Sequence, residues 1–253
     1  MVAPVISIVV PALNEQDNVG PLVEEIAAAF GDTAEVIIVD DGSTDATPDN
    51  LEQMLEACRW LQNWPRLRVL RHEMPLGQSA AMGAGVSVAT APLVAFLDAD
   101  LQNDPAELMG MMNLLNERSV DLVQGDRSAT RADSGPRKLA SSIGRLARRA
   151  VIGDAVRDTG CSARVLKAEF ARKLPLHLKG MHRFIPAMVA MHGGVIAEYP
   201  VRHRVRHTGQ TKYGVGVLQR GLGGLRDLLA VRWMKKRIRR SDAQEITVEH
   251  RPQ

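Results

Sequence analysis

The feature that most constrains the fold is a regular alternation of short apolar runs with amphipathic stretches in the first half of the chain. The apolar runs predict strands over residues 5–10, 35–40, 67–70, 93–97 and 121–124. The stretches between them predict helices over residues 19–30, 45–58 and 78–89, and a further helix that starts at Pro105. This order predicts an α/β protein with a mostly parallel sheet and helices on both faces.

The second half of the chain has a different character. It predicts a basic helix over 136–152, a strand over 194–201, a glycine-rich polar loop over 209–216 and a basic amphipathic helix over 217–240. We therefore expect one domain over residues 1–214, an amphipathic helix within 215–240 and a disordered tail over 241–253.

Composition excludes several classes of protein. The chain has 253 residues, of which 45% are hydrophobic and 24% are charged, as in ordinary globular proteins. Its two cysteines predict no disulfide framework and favour a reduced, cytoplasmic location. We expect no signal peptide, because the N-terminus lacks a charged segment followed by an apolar one. We also expect no spanning segment, because no apolar run approaches the length of about 20 residues that a bilayer requires.

Asp98-Ala99-Asp100-Leu101-Gln102 directly follows one of the predicted buried strands. Ligands bind at the carboxyl ends of strands in open α/β sheets. Residues two apart on extended backbone point the same way, so Asp98, Asp100 and Gln102 can line one site. Oxygen ligands of this kind suit Mg²⁺ or Mn²⁺, which usually also hold substrate phosphates.

Two further polar segments follow predicted strands. Pro11-Ala12-Leu13-Asn14-Glu15 comes after the first strand, and Asp40-Asp41-Gly42-Ser43-Thr44-Asp45 ends the second. Each by itself is typical of a capped loop. Together with the segment at Asp98 they place several carboxylates at one sheet edge, and a phosphorylated ligand there requires a bridging cation.

Two other functions are disfavoured. A dinucleotide-binding dehydrogenase requires Gly-x-Gly-x-x-Gly after the first strand, and the chain has Pro11-Ala12-Leu13-Asn14-Glu15 there. A nucleic-acid-binding protein would interleave aromatic residues with its basic C-terminal helix, where Trp233 is the one aromatic residue. We therefore expect no nucleic-acid partner.

The motifs resemble those of the inverting family 2 glycosyltransferases. The resemblance extends over residues 5–235, and the Asp-Ala-Asp-Leu-Gln form is similar to that of dolichol-phosphate mannosyltransferases and bacterial polyprenyl-phosphate glycosyltransferases. It rests also on Gly77-Gln78, Gly125-Asp126-Arg127, His182-Arg183-Phe184-Ile185-Pro186 and Gly209-Gln210-Thr211-Lys212-Tyr213-Gly214. It implies a GT-A (Rossmann-like) fold, with a nucleotide-sugar half over 1–125 and an acceptor half over 126–214.

The resemblance also implies roles for single residues. Residues around the nucleoside would be Pro11, Leu13, Glu15 and Asp41. Asp98 and Asp100 would face the diphosphate and the sugar, and Asp100 and Gln102 would hold Mg²⁺ or Mn²⁺. The acceptor phosphate would be received by Arg127, Arg137 and Ser141. Residues closing over the diphosphate or the acceptor would be Arg206 and Lys212.

The implied reaction moves a sugar from a nucleoside-diphosphate sugar, GDP-mannose or a UDP-hexose, to a polyprenyl or dolichyl phosphate. The resemblance favours mannose. A phosphate acceptor is already nucleophilic at neutral pH and needs cationic forks, which arginine provides. The alternative is a saccharide hydroxyl acceptor, which needs a general base. Asp126 and Asp158 are the nearby candidates for that base.

The C-terminal helix carries a leucine-rich stripe among many cations. The stripe consists of Leu218, Leu222, Leu225, Leu229 and Trp233. A helix of this kind suits an anionic membrane surface, and we expect the protein to be peripheral on the inner face of the cell membrane. The other interpretation is that the stripe packs on the domain and the cations are solvated.

Overall fold

The computed structural model describes residues 3–58, 61, 64–129, 135–154, 156–204 and 217–239. Only the backbone is described for residues 135–141, 143 and 217–222. A seven-stranded sheet lies at the centre, in the order β3-β2-β1-β4-β6-β5-β7. The strands are β1 (Ile6–Ala12), β2 (Ala34–Asp40), β3 (Arg66–Arg71), β4 (Leu93–Phe96), β5 (Leu122–Asp126), β6 (Arg164–Lys167) and β7 (Ile196–Pro200).

Helices cover both faces of this sheet. They are α1 (Val19–Phe30), α2 (Thr47–Cys58), α3 (Gln78–Val88), α4 (Glu107–Glu117), α5 (Gly135–Ile152), α6 (Ala168–Ala171), α7 (Ile185–Met191) and α8 (Val217–Arg237). The predicted α/β class and the mostly parallel sheet are confirmed. None of the described helices combines the length and apolarity that crossing a membrane requires.

One strand is not predicted by the sequence. β6 lies between β4 and β5 and runs antiparallel to both, whereas the pairs β1–β2, β1–β4, β2–β3 and β5–β7 are parallel. Its four residues begin with Arg164 and end with Lys167, so they form no apolar run. The strand is defined by its neighbours on both sides and not by its own sequence pattern.

The strands alternate their side chains between two hydrophobic cores. Ile8 and Val10 of β1 pack with α1 and α4 on one face. Val9 packs on the other face, with Met82 of α3 and Ile185 of α7. Consecutive apolar residues of β1 thus enter opposite cores, as expected for a sheet that is covered on both sides.

Close packing of α3 on β1 depends on a glycine. A Cβ at Gly85 would lie 2.3 Å from Cγ1 of Val9. The small residues of α3 therefore bring its N-terminus close to the ends of β1 and β4. A side chain at position 85 would push away the helix that carries Gln78 and Ser79.

The N-terminus of α1 differs from the sequence pattern. Asn18 occupies the position of a capping residue, but its side chain makes no cap hydrogen bond and instead donates to Oε2 of Glu15 at 2.6 Å. The Asn18 side chain thus fixes the loop after β1, which is the loop expected to contact a nucleoside.

The C-terminal helix α8 has two apolar faces. Leu228 and Val231 are buried in the core with α7. Three residues of the predicted stripe are instead exposed to solvent: Leu225, Leu229 and Trp233 are 53%, 54% and 59% exposed. The two interpretations of this helix are therefore compatible: one face packs on the domain, and a different face carries the exposed part of the stripe.

Candidate active site

The loops after β1 and β2 lie side by side at the carboxyl edge of the sheet. Pro11 pairs in register with Val39, and Ala12 with Asp40. The structure therefore brings together the four residues expected around a nucleoside. These are Pro11, Leu13, Glu15 and Asp41.

Side chains hold these two loops to each other. The backbone N–H of Asn14 donates to Oγ of Ser43, and the N–H of Thr44 donates to Oδ1 of Asn14, both at 2.8 Å. Asn14 has a φ of +52°, a left-handed conformation that asparagine tolerates better than most residues. The donor edge of the site is thus shaped before any ligand binds.

Asp41 fixes a third loop, residues 72–77, between β3 and α3. Its Oδ1 accepts the N–H of Leu76 at 2.9 Å and lies 2.7 Å from Nδ1 of His72, while Oδ2 accepts the N–H of Gly77 at 2.7 Å. Gly42 permits the close approach, because a Cβ there would lie 2.7 Å from the Met74 backbone. Asp41, which is also one of the residues expected around the nucleoside, therefore positions the N-terminus of α3.

Asp98 lies at the end of β4 and accepts a hydrogen bond from Nε2 of Gln78 at 2.7 Å. Burial, and then the neighbouring charge of Asp100, raises the pKa of Asp98 to about 6. A hydrogen bond from Ser162 and the charges of Arg164 and Arg127 oppose that rise. A carboxylate so enclosed has a fixed direction, as a group facing a sugar or diphosphate requires.

Asp100 and Gln102 lie on a strained turn. Leu101 between them has a φ of +59°, which is unfavourable for a leucine, and its side chain is buried. Oδ1 of Asp100 accepts the N–H of Gln102 at 3.2 Å, and the Gln102 amide nitrogen lies 3.4 Å from Nε2 of His203. The carboxylate of Asp100 and the amide of Gln102 therefore lie on this turn, and the imidazole of His203 reaches it from the segment after β7.

This set of side chains fits Mg²⁺ or Mn²⁺ bound with a phosphorylated ligand. Among the described residues, no group of three or more His, Cys, Asp and Glu side chains could hold a metal ion. A single carboxylate with an amide oxygen is nevertheless sufficient when substrate phosphates complete the coordination shell. Asp100 and Gln102 would hold the ion, and His203 adds an adjacent nitrogen.

Arg164 is a buried cation behind Asp98. Its guanidinium donates to the carbonyl of Ser162 at 3.2 Å, to that of His182 at 2.9 Å, and to that of Cys161. Burial lowers the pKa of Arg164 to about 10, so it remains charged at neutral pH. Arg164 stabilises the ionised form of Asp98 and holds the segment that carries Ser162.

Arg127 forms a two-pronged ion pair at the end of β5. Its Nε donates to Oδ2 of Asp158 at 2.8 Å, and Nη2 donates to Oδ1 at 3.2 Å. The pair with Asp158 contributes to raising the pKa of Arg127, although burial opposes it. Arg127, predicted to receive the acceptor phosphate, is thus engaged here by a carboxylate, whose two oxygens resemble one edge of a phosphate.

Both carboxylates proposed as a general base are engaged. Asp158 accepts from Arg127 and from the N–H of Gly160 at 3.1 Å. Asp126 is buried, accepts the N–H of Ser128 at 2.9 Å and lies 3.7 Å from Nη1 of Arg157. Neither is arranged to take a proton from an acceptor hydroxyl.

The structure describes the other residues predicted to contact the acceptor or the diphosphate only in part or not at all. Arg137 and Ser141 belong to the first turns of α5, of which only the backbone is described. Arg206 and Lys212 lie outside the described residues, as does the predicted tail over 241–253. Their roles stay predictions.

His182 is packed against α3. Its Nδ1 lies 2.7 Å from Oγ of Ser79, and its own N–H donates to the same oxygen at 3.2 Å. The Ser79 hydroxyl thus fixes both the backbone and the ring of His182. Burial lowers the pKa of His182 to about 3, with the charges of Arg183 and Arg164 adding to the effect.

Several residues of the site have no role that the sequence alone assigns. Gln78 and Ser79 begin a predicted helix, but their partners become visible only when α3 packs beside β4. Arg164 and His203 give no signal in the sequence, because an arginine in a short strand and a histidine in a basic segment both suggest surface positions. They reach the site through pairings distant in sequence.

This sheet, with acidic loops at its carboxyl edge and arginines opposite, defines a nucleotide-sugar-dependent transferase of the GT-A type. The family model described as "Glycosyl transferase family 2" matches residues 7–175. The chain belongs to this family.

A curated relative is the dodecaprenyl-phosphate galacturonate synthase of Rhizobium johnstonii. It is 37% identical over 231 residues, which cover 89% of this chain and 66% of the relative. The chain thus spans slightly less than two thirds of the length of that relative.

Solved structures share the fold at low sequence identity. Glucosyl-3-phosphoglycerate synthase from Mycobacterium tuberculosis, in complex with Mg²⁺ and uridine diphosphate, has a TM-score of 0.64 and 19% identity over 94% of this chain and 81% of that chain. The same enzyme has been crystallised with Mn²⁺, uridine diphosphate and its product. TarS from S. aureus has a TM-score of 0.55 and 18% identity over 77% of this chain and 57% of that chain.

Proposed function

We propose that the protein catalyses the divalent-metal-dependent, inverting transfer of a sugar from a nucleoside-diphosphate sugar to a polyprenyl phosphate. The product is a lipid-phosphate sugar. The observation that carries the proposal is the meeting of Asp98 and Asp100 with the Arg127 fork at one edge of the sheet. The name of the Rhizobium johnstonii relative supports the lipid-phosphate acceptor.

On the donor side, Pro11, Leu13, Glu15 and Asp41 surround the nucleoside. Asp100 and Gln102 would hold a divalent ion, which when bound would neutralise charge on the leaving diphosphate. Asp98, held by Gln78, orients the sugar so that its anomeric carbon faces the acceptor. Arg206 and Lys212, which lie outside the described residues, would contribute positive charge to the diphosphate or the acceptor.

On the acceptor side, Arg127, Arg137 and Ser141 receive the phosphate. Arginine matches phosphate in the same two-pronged geometry that Arg127 uses for Asp158. No carboxylate base is required, because the second pKa of a phosphate monoester is about 6 and the acceptor is ionised at neutral pH. The engagement of Asp126 and Asp158 favours this acceptor over a hydroxyl group.

The sugar and the nucleotide are open to direct test. Uridine diphosphate in the related structures, and galacturonate in the name of the curated relative, favour a UDP-linked sugar over GDP-mannose as the donor. Purified protein, a polyprenyl phosphate and Mg²⁺ are offered radiolabelled GDP-mannose, UDP-glucose and UDP-galacturonate separately. Label entering the organic phase with one donor supports the proposal, and its absence with every donor contradicts it.

We further propose that α8 places the protein on an anionic membrane surface at the inner face of the cell membrane. Its exposed Leu225, Leu229 and Trp233 form one face, and the guanidinium of Arg237 lies 5.3 Å from the Trp233 ring. Apolar residues flanked by cations suit the boundary between lipid headgroups and acyl chains.

Not all cations of α8 are available to lipid. Arg232 donates to the carbonyl of Val151 at 3.1 Å, and Lys235 donates to that of Ile152 at 2.6 Å. These two cations satisfy the C-terminal carbonyls of α5 and so fix α8 to the domain. The membrane face is therefore held in a defined direction relative to the acceptor side.

Liposome co-sedimentation tests this second proposal. The variant Leu229→Ser/Trp233→Ser should lose binding to vesicles that contain anionic lipid. Met109→Ser removes a comparably exposed apolar side chain from α4 and serves as the control. Equal binding by both variants and the unmodified protein would contradict a membrane role for this face.

A further inference from the structure

We propose that Arg204 is a positioning residue, which fastens the segment after β7 to the turn at 100–104 and so holds His203 beside Gln102. The inference rests on the proposed function, because it assigns Arg204 an effect on divalent-metal binding at Asp100 and Gln102. Arg204 contacts the turn through the carboxylate of Asp104 and the backbone carbonyl of Gln102, so its effect on the metal ligands would pass through the position of the turn.

Arg204 joins three separate parts of the chain. Its Nη1 lies 2.7 Å from Oε2 of Glu25 on α1, and its Nη2 lies 2.6 Å from Oδ2 of Asp104. Its backbone N–H donates to the carbonyl of Gln102 at 2.9 Å. The side chain and the backbone of one residue thus bind both ends of the turn that follows Asp100.

The residues just before Arg204 are anchored further away. The N–H of Val201 donates to the carbonyl of Asp126 at 3.0 Å, and the N–H of Arg202 donates to Oε1 of Glu107 at 2.8 Å. These bonds attach the segment to β5 and α4. The contacts of Arg204 attach it to the turn that carries Gln102, on the far side of His203.

The ion pairs of Arg204 contribute little to global stability. The side chains of Arg204, Glu25 and Asp104 are each about one third exposed, and ion pairs of this kind contribute at most about 1 kcal/mol. Their distances nevertheless fix where the segment lies. Removal of Arg204 should therefore leave the fold intact but shift the His203 imidazole, which lies next to Gln102.

Position and charge predict opposite effects on metal affinity. Coulomb's law alone predicts that removing a cation near Asp104 strengthens the binding of a divalent cation nearby. A positioning role predicts weaker binding, because His203 and the turn lose their fixed relation. The sign of the change therefore separates a positioning role from a through-space effect of charge.

The experiment is a titration of MnCl₂ in the presence of uridine diphosphate, with free Mn²⁺ measured by electron paramagnetic resonance. Arg204→Ala should raise the Kd for Mn²⁺ about 10-fold, as loss of a residue that orients metal ligands does. Arg204→Lys keeps the charge but reaches one carboxylate at a time, so it should restore only part of the affinity.

Lys167→Ala is the matched control. Lys167 forms an ion pair with Asp121 at 2.7 Å, near the opposite ends of the strands, with a similarly exposed cation. It should lower the melting temperature as much as Arg204→Ala does and leave the Kd for Mn²⁺ unchanged.

Two outcomes would overturn the inference, and they are distinguishable. An unchanged or lower Kd in Arg204→Ala, with normal binding by the unmodified protein, contradicts the positioning role alone. Failure of the unmodified protein to bind Mn²⁺ with uridine diphosphate contradicts the proposed use of metal and the inference with it.

Discussion

The donor side and the acceptor side of the site are held together by different interactions. On the donor side, Asp41 accepts backbone N–H groups from the loop at 72–77, and Asp98 accepts from the amide of Gln78. On the acceptor side, arginines pair with carboxylates, as Arg127 does with Asp158. Asp41 and Asp98 thus accept hydrogen bonds from backbone and amide N–H groups, whereas Asp158 forms a two-pronged pair with a guanidinium.

This difference indicates how each side meets its ligand. Backbone donors are fixed by the fold, so the donor side has its shape before a nucleotide binds. An arginine in an ion pair can exchange the carboxylate for a phosphate of similar geometry without leaving its place. We therefore expect substitutions on the donor side to change donor binding, and substitutions of Arg127 to change acceptor use.

Asp100→Ala should have the largest effect on activity. Loss of the carboxylate that would hold the divalent ion removes several kcal/mol of stabilisation of the leaving diphosphate, so kcat should fall about 100-fold or more. Transfer assays across a range of Mg²⁺ concentrations measure it. Near-normal activity in a folded variant would contradict the metal role of Asp100.

Arg127→Ala should lower kcat/KM for the acceptor about 10- to 100-fold, because charged hydrogen bonds contribute about 1.5–3 kcal/mol each. The Kd of the donor nucleotide, measured by calorimetry, should stay within about twofold. Asp158→Asn is the companion variant, since it releases Arg127 from its carboxylate partner and should preserve acceptor use. An equal fall in kcat/KM for the acceptor in both variants would show that the Arg127–Asp158 ion pair supports the structure and that Arg127 does not bind the acceptor.

His182 packs against α3, and we expect it to affect stability and not ligand binding. Its pKa is lowered to about 3 in the folded protein and is about 6.5 in an unfolded chain, so below pH 6.5 only the unfolded state takes up this proton. His182 should therefore make the free energy of unfolding fall by about 1.4 kcal/mol for each unit that the pH drops from 6 to 4. Above pH 6.5 the contribution is constant.

Urea unfolding of the unmodified protein and His182→Gln at several pH values measures this slope. The difference in unfolding free energy between the two proteins should change with pH over the range 4–6 and stay constant from pH 7 to 8. A constant difference throughout would show that the packed histidine is not held in its neutral form.

Asp41→Asn should have the smallest effect. An amide has one acceptor oxygen where the carboxylate has two, so one hydrogen bond to the loop at 72–77 is lost, at about 1 kcal/mol. The Kd of the donor nucleotide should rise about fivefold, while KM for the acceptor stays unchanged. A change in KM for the acceptor, with an unchanged Kd for the donor nucleotide, would contradict the assignment of Asp41 to the donor side.

The parts of the fold that are encoded locally could be predicted from the sequence. β4 is a continuous apolar run and β1 and β2 are apolar except for Ser7, Glu35 and Asp40, and the polar segments after these parallel strands share one sheet edge. The grouping of Asp41, Asp98 and Asp100 therefore follows from strand order alone.

The rest depends on contacts between distant residues. β6 begins with Arg164, whose buried guanidinium donates to the carbonyl of His182 in a separate segment as well as to those of Cys161 and Ser162 just before it. α8 carries two apolar stripes, and its spacing alone does not distinguish Leu228 and Val231, which pack on the domain, from Leu225 and Leu229, which do not. In both cases tertiary packing decides between local patterns of equal strength.

The central claim is that the attacking nucleophile is a phosphate, and a comparison of two acceptors tests it most directly. The protein is given Mg²⁺, the active sugar nucleotide and either a polyprenyl phosphate or the corresponding polyprenyl alcohol, and the glycosylated lipid is quantified. We predict transfer to the phosphate and none to the alcohol, because the proposed Arg127 fork suits an anion and the two candidate bases, Asp126 and Asp158, are engaged by other groups. Transfer to the alcohol at a comparable rate would contradict this mechanism.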